Sequence, residues 1–570
     1  MKQRTRKTQR MKSRRRSGKP KRQHEPHKYI FVIGGVMSGV GKGITTASIG
    51  VILKAKGYRI NLVKVDPYLN VDAGTMNPTE HGETFVLDSG LETDQDMGNY
   101  ERFLGTSLTP NDYVTSGMVY RYVIDRERAL GYGGRCVEAI PHVTDEILRR
   151  ITSAASGKRS DITVVEIGGT IGDYQNALFI EAARILAVRH PRDVMTILVS
   201  YMPVPGTIGE MKTKPTQNAV RQLHGYGLRT DMIVARAPVP VDKKRKEKLA
   251  LSVSISPENI ISAPDIKSIY DVPINFARDR IGDRILDILG LSHKRGEHDL
   301  DKWRQFVSST RRPRKRVKIG IVGKYFDTGD FVLSDAYISV IEALKFSAYK
   351  EKVKPEIEWI NAKDFERDSR SVKKLAAYGG IVIPGGFGET GIEGKIRAIR
   401  FAREHKIPLF GLCYGMQLLA VEYARTVLGW SDAHTTEINP QTSRPVIHVM
   451  PEQEKKLLSQ DYGGTMRLGV YKAVLRKGSL AASAYGVRAI SERHRHRYEV
   501  NNTFRKDLEA AGLIFSGTSP DGQLAEIAEL PVSIHPFFLG TQFHPEFLAR
   551  PLSPHPLFTS FIRASLARSK

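Results

Sequence analysis

Cys413 stands where a nucleophile would. The apolar run Pro408–Leu412 suits a buried strand, and YGMQLLAVEYAR after the cysteine has helical periodicity. A cysteine on so tight a strand-to-helix turn lies at a helix N-terminus, whose field favours thiolate over thiol. Gly411 and Gly415 leave room for the turn. The Tyr414 N–H could then face an oxyanion, with a second donor from PGGFG at residues 384–388. A thiol also needs a base. TQFHPEF, far along the chain, supplies His544 to take the proton and Glu546 to orient the imidazole. A buried inert cysteine and a surface histidine are the bland readings. An elbow, a glycine-rich strand end and H-P-E within one region argue against both.

A second constellation lies near the start. GGVMSGVGKGITT, residues 34–46, follows an apolar strand and opens a helix. Glycines there let backbone N–H groups turn toward an anion, and Lys42 reaches terminal phosphates. Five residues separate Gly35 from Gly41, and Gly43 replaces the hydroxyl residue usual after the lysine. Carboxylates must therefore do more of the Mg²⁺ binding. Asp94 and Asp96 in ETDQDMGNYERF are candidates, and Glu166 at the end of strand Ile162–Ile167 is the better placed.

These residues need two sheets to position them. Tyr29–Ile33, Ile60–Val65, Ile162–Ile167, Val194–Ser200 and Met232–Ala235 read as buried parallel strands. Helical patterns such as Thr45–Lys56, Asn176–Val188 and Asn275–Leu289 lie between or after them, which predicts an α/β unit over 29–291. Residues 292–316, charged and ending in RRPRKR, read as a linker, with Pro313 breaking any helix. A second α/β unit, 317–570, begins at Val317–Val322 and continues through Ile381–Ile383 and Pro408–Leu412.

The chain has 570 residues, 41% hydrophobic and 26% charged, which fits soluble globular domains. Only Cys136 and Cys413 are cysteines, so a disulfide scaffold is excluded and a reducing, cytoplasmic setting is expected. No apolar run is long enough for a membrane span. The net charge is +26; residues 1–28 hold 13 Lys/Arg against the single Glu25, leaving +14 on the rest. Such a tail cannot bury a core and is expected to be disordered, either a solvated extension or a non-specific contact with a polyanion. ERHRHRYEVNN, residues 492–502, is dense in His and Arg. His494 and His496 have no third ligand at metal spacing, so a polar loop over an active site, or plain solvated surface, is expected there.

PGGFG, GLCYGMQ and FHPEF resemble a class I glutamine amidotransferase domain. With GGVMSGVGKGI, KVDPYLNVDAGTMNPTEHGE, ETDQDMGNYERF, EIGGTIGD, GEMKTKPTQ and ERHRHRYEVNN, the whole resembles the CTP synthase family from about Tyr29 to about Arg563. The resemblance implies a P-loop-type parallel-sheet amidoligase domain followed by the amidotransferase domain. It implies that ATP phosphorylates O4 of UTP, that ammonia freed from glutamine passes through an internal channel, and that ammonia displaces the phosphate to give CTP.

Carried over by position, the resemblance puts ATP on Gly39, Val40, Gly41, Lys42, Gly43, Ile44 and Asp96, with Pro264, Asp265 and Ile266 at the adenine side. Mg²⁺ falls on Asp96 and Glu166, and no organic cofactor is implied. UTP, and CTP as feedback inhibitor, fall on Ser38, Asp173, Tyr174, Gln175, Lys212, Thr213, Lys214, Pro215, Thr216, Gln217 and Lys248. Glutamine falls on Gly386, Tyr414, Gly415, Met416, Gln417, Glu437 and Arg497 beside the catalytic Cys413, His544 and Glu546. His81 matches a histidine near the ammonia route. GTP activation and assembly as homodimers or homotetramers are family traits. Gly39, Gln175 and Thr390 depart from the family pattern. Another ATP-dependent amidotransferase, such as a cobyrinate amidating synthetase, is disfavoured by KTKPTQ and ERHRHRYEVNN. A P-loop nucleic-acid switch is disfavoured by the intact Cys413, His544 and Glu546.

Overall fold

Alternating short apolar runs and helices give two large sheets, one parallel and one mixed, in this computed structural model. It describes residues 27–206, 209–293, 298–311, 315–323, 334–386, 388–450, 453 and 463–569. The first sheet has seven parallel strands, in the order Tyr113–Thr115, Ile60–Asp66, Ile162–Ile167, Lys28–Gly35, Val194–Tyr201, Met232–Ala237 and Ile260–Pro264. Ile30, Phe31, Val32 and Ile33 are fully buried, as a central strand covered on both faces requires. The chain leaves the strand Lys28–Gly35 toward one side of the sheet and later fills the other side. That reversal opens a crevice at its carboxyl end, where ligands bind in such folds.

The second sheet has nine strands. Val353–Asn361, Lys315–Gly323, Gly380–Ile383, Leu409–Leu412 and Phe538–Thr541 are parallel. Ala525–Glu529, Ile514–Thr518, Arg467–Leu475 and Ala489–His496 extend it in antiparallel fashion. A three-stranded sheet, Ala433–Thr435, Arg444–Val449 and Tyr498–Val500, lies beside it.

Three expectations change. The pattern Asn275–Leu289 is two helices, Val272–Arg278 and Ile281–Leu289, because Arg280 takes a left-handed φ of 57° between them. The predicted linker 292–316 contains a helix, His298–Arg311. Pro313 falls after that helix, and 294–297 and 312–314 lie outside the described residues. What fixes the helix is aromatic packing. Trp303 is 1% exposed, sits 5.0 Å from Phe103, and donates its Nε1–H to Tyr270 O at 2.9 Å. Phe306 of the same helix contacts Tyr270 on one side and Phe346 of the second unit on the other. At ~25 cal/mol per Å² and ~200 Å², burying the indole removes at most about 5 kcal/mol worth of apolar surface from water. Lastly, of the tail 1–28 only His27 and Lys28 are described, and Lys28 opens the first strand with its Nζ 2.7 Å from Asp193 Oδ1. The expectation of disorder for the rest lies outside the described residues.

Candidate active sites

The phosphate loop ends at Gly41, whose left-handed φ of 84° sets the N-terminus of helix Lys42–Ala55. Lys42 Nζ donates to Gly169 O at 2.8 Å, so the loop and EIGGTIGD close on each other. A Cβ on Gly43 would lie 2.3 Å from Asp96 Oδ1. The residue that usually offers a hydroxyl is thus a glycine because a carboxylate fills its place.

Asp96 belongs to a buried cluster. Lys64 Nζ lies 2.5 Å from Asp96 Oδ2, 3.1 Å from Glu166 Oε1 and 3.4 Å from Asp66 Oδ1. Lys64 and Glu166 are register partners on adjacent parallel strands, which is why they meet. Tyr100 donates to Glu166 Oε2. Burial pushes Asp66 up to about 7 and Asp96 up to about 6, against the pull of Lys64. Lys64 is held well above its usual range: burial opposes its charge, and Asp66, Asp96 and Glu166 overcome that. Asp94, a weaker candidate, caps helix Gln95–Leu104 by accepting from Asp96 N and receives His81 Nδ1 at 3.3 Å. Hard carboxylate oxygens that outnumber the buried ammonium suit a divalent cation, so Asp96 and Glu166 fit Mg²⁺.

Pro264, Asp265 and Ile266 line a cavity of about 250 Å³ with Gly41, Ile44 and Phe276, and Arg236 Nη2 donates to Asp265 Oδ1 at 2.9 Å. On the other side of the loop, Thr213, Lys214, Pro215, Thr216 and Gln217 enter helix Lys214–Gly225, and Ser200 Oγ donates to Thr216 Oγ1 at 2.9 Å. Lys212 Nζ lies 2.7 Å from Glu210, within whose field Lys248 also stands. Ser38 and Gly39 are exposed at the loop tip. Asp173 Oδ2 accepts from Thr170 N, whereas Gln175 is exposed and Tyr174 is 98% exposed.

In the second sheet, Leu412 pairs with Thr541 on adjacent parallel strands, so Cys413 and His544 emerge side by side. Cys413 N donates to Thr541 O at 2.6 Å, and the cysteine takes φ 50°, ψ −99°, the strained turn expected of an elbow. Its Sγ lies 3.6 Å from Arg495 O and 3.7 Å from Gln542 Nε2. His544 Nδ1 lies 2.7 Å from Glu546 Oε1. Nε2 is buried, with no hydrogen-bond partner among the described residues apart from its interaction with the Cys413 thiol. Burial opposes charge on this ring, but Glu546 and Cys413 outweigh it and hold the imidazole up to about 10. Gly385 sits over the pair, where a Cβ would come 3.1 Å from His544 Cε1. Such a centre can attack an amide and protonate the departing nitrogen.

The surrounding contacts are varied. Gln417 Nε2 donates to Tyr498 O at 2.8 Å, and Gly415 and Met416 are buried in the same helix, Tyr414–Thr426. Gly388 N donates to Glu437 Oε1 at 2.8 Å, and Arg497 Nη1 reaches Gln453 and Thr465 at 2.9 Å. Phe387 lies outside the described residues.

ERHRHRYEVNN is neither a polar loop nor solvated surface. It forms the strands Ala489–His496 and Tyr498–Val500, with Arg493, His494 and His496 buried. Its charge is paired with the first unit: Arg493 Nη1 lies 2.9 Å from Glu101 Oε2, and Arg495 Nε 2.8 Å from Glu92. No group of three or more metal-ligating side chains gathers among the described residues. Lys64, Gln542 and Arg493 escaped sequence reasoning. A charged residue inside the apolar strand INLVKVD was the only signal for Lys64.

A cavity of about 70 Å³ joins the two units, lined by Cys413, His544 and Gly386 on one side and Pro78, Glu83 and Thr84 on the other. His81 ends the short helix that begins at Pro78. Burial pushes the Glu83 carboxyl up to about 7, although Ser339 N and Oγ both donate to it.

Residues 28–291 match the family described as CTP synthase N-terminus, and 332–564 match glutamine amidotransferase class-I. This defines a ligase that draws its nitrogen from glutamine: an α/β amidoligase unit followed by a class I amidotransferase unit. A CTP synthase from Caldanaerobacter subterraneus subsp. tengcongensis is 47% identical over 540 residues, 95% of this chain and 98% of that one. One from Pyrococcus furiosus is 48% identical, covering 94% and 98%. The solved glutaminase domain of Trypanosoma brucei CTPS with bound acivicin is 34% identical over 44% of this chain and 94% of its own, with a TM-score of 0.41. The chain belongs to the CTP synthase family, and its reaction is the amination of UTP to CTP with nitrogen from glutamine. No helix among the described residues is long and apolar enough to cross a membrane.

Proposed function

We propose that the two sites divide this reaction as follows. Cys413 attacks the amide carbon of glutamine, His544 passes the thiol proton to the departing nitrogen, and ammonia leaves a glutamyl thioester that water converts to glutamate. The N–H of Tyr414 and a second from the Gly385–Gly386 turn face the oxyanion, while Gln417, Glu437 and Arg497 hold the substrate. In the first unit, Gly39–Ile44 cradle the ATP phosphates and Pro264–Ile266 border adenine. Lys42 stabilises charge on the phosphoryl group moving to O4 of UTP. Asp96 and Glu166 would hold Mg²⁺, which when bound neutralises phosphate charge. Ammonia then adds at C4 and phosphate departs, leaving CTP, ADP and phosphate.

The observation that carries this reading is the shared cavity. Cys413 and His544 open onto a space whose far wall, Pro78, Glu83 and Thr84, belongs to the amidoligase unit. Nitrogen freed at the sulfur is therefore released against a wall of the amidoligase unit. Ser38, Lys212–Gln217 and Lys248 serve UTP, and Asp173–Gln175 serve CTP as inhibitor. Because Tyr174 faces solvent, this inhibitor contact is completed by a neighbouring subunit of a homodimer or homotetramer. GTP is the activator, the basic tail 1–28 is a solvated extension or a non-specific contact with a polyanion, and the free Cys413 suits the cytoplasm. Incubation with UTP, ATP, Mg²⁺ and glutamine, with and without GTP, followed by chromatography for CTP, tests the reading. Absence of CTP beside an active reference enzyme overturns it.

A further inference from the structure

The helix Gln95–Leu104 presents different faces to the two units. Asp96 and Tyr100 point to the nucleotide cluster, at Lys64 and Glu166. Glu101, one residue on and so about 100° around the helix, points into the amidotransferase unit and is fully buried. Its Oε2 accepts from Arg493 Nη1 at 2.9 Å, and its Oε1 from Arg493 Nη2 at 3.1 Å. Arg550 also donates to Oε2, and Leu108 N to Oε1 at 2.8 Å. Arg493, itself 0% exposed, is fixed further by Val86 O at 3.0 Å and by Asp88.

Arg493 also acts through its backbone. Its carbonyl accepts the His544 N–H at 2.8 Å. Two residues along the same strand, the carbonyl of Arg495 lies 3.6 Å from Cys413 Sγ. One short stretch of strand Ala489–His496 therefore supplies a backbone acceptor to each member of the nucleophile–base pair. The side chain that anchors this stretch is bound by a carboxylate from the other unit.

We propose that Glu101 is a positioning residue of the glutaminase centre: through Arg493 it sets the strand that holds His544 and Cys413 in register. This role rests on Cys413 and His544 being the glutamine-splitting pair. A bidentate pairing between buried groups fixes direction as well as distance. Glu101→Gln keeps the volume but removes the charge that balances Arg493 and Arg550, so the strand is anchored less firmly, with Asp88 the remaining anion on Arg493. A displacement near 1 Å at reacting atoms costs up to roughly 100-fold in rate.

The test uses the full chain and three readouts. For Glu101→Gln, kcat for glutamine hydrolysis should fall about tenfold or more, with KM for glutamine moved by less than about threefold. CTP synthesis driven by ammonium chloride should stay within about twofold of the parent. Iodoacetamide should alkylate Cys413 several-fold more slowly at neutral pH, because a displaced imidazole activates the thiol less. A purely structural role would leave that rate in place. Should Glu101→Gln fail to fold, Arg493→Lys, which keeps the charge and loses the fork, must give the same split. Unchanged glutamine kcat and alkylation rate in a folded variant, or equal losses with glutamine and with ammonia, would overturn the proposal. Cys413→Ala runs alongside: if it still hydrolyses glutamine, the glutaminase assignment fails on its own account.

Discussion

Gly43 and Asp96 occupy one another's space: a side chain at position 43 would put its first carbon 2.3 Å from Asp96 Oδ1. The absent hydroxyl of the phosphate loop and the carboxylate of the next helix are therefore a single adaptation. Gly43→Ser should push Asp96 away from Lys64 and raise KM for ATP about tenfold or more while basal glutamine hydrolysis persists. Steady-state kinetics of the two half-reactions checks this, and an unchanged KM for ATP counts against the steric argument.

Cys413→Ala removes the sulfur and leaves the amidoligase sheet untouched. Synthesis from glutamine should fall below about a thousandth of the parent, as when a nucleophile is deleted, while synthesis from ammonium chloride continues. Loss of both activities in a folded variant would make the cysteine structural.

The His544 ring, held up to about 10, is an imidazolium at neutral pH and already carries the proton that the departing ammonia needs. Burial opposes this charge, and Glu546 is the foremost group overcoming it. Glu546→Gln lowers the imidazole pKa. The alkaline limb of the glutaminase pH profile, where the proton is lost, should move toward lower pH. A limb that stays in place shows that another group titrates there.

Glu83 is pushed up to about 7 by burial, from 4.5 in the free side chain. The folded state binds this proton more tightly than the unfolded chain. Folding stability therefore declines as pH rises from about 4.5 to about 7 and levels off above. Glu83→Gln cannot ionise and should melt higher than the parent at pH 8, with the gain gone at pH 4. Thermal unfolding at both values decides it; an equal shift at the two would mean that charge plays no part.

The elements that declare themselves locally were legible in the sequence. The phosphate loop and the Cys413 elbow each sit between a buried strand and a helix, and their glycines and flanking residues are contiguous. Residues whose partners are remote gave no such signal. Glu101 and Arg493 lie 392 positions apart, and nothing about either alone marks it as more than a surface charge. ERHRHRYEVNN looked solvated because its charges were counted without the Glu101 and Glu92 that pair with Arg493 and Arg495. The segment 292–316 looked like a linker because its charges outweigh Trp303 and Phe306 by number, although the aromatic pair decides where it packs.

That helix makes the chain hard to divide. One continuous apolar cluster runs from Ile30 through Trp303 and Phe346 to Phe561, without a seam between the catalytic halves. A gene split inside the connecting segment would leave each fragment with a wound of exposed aromatics, prone to stick to itself before it found its mate. Recombination that swaps one half for a distant counterpart must carry the matching rings along, so the pair is bound to be inherited as a unit.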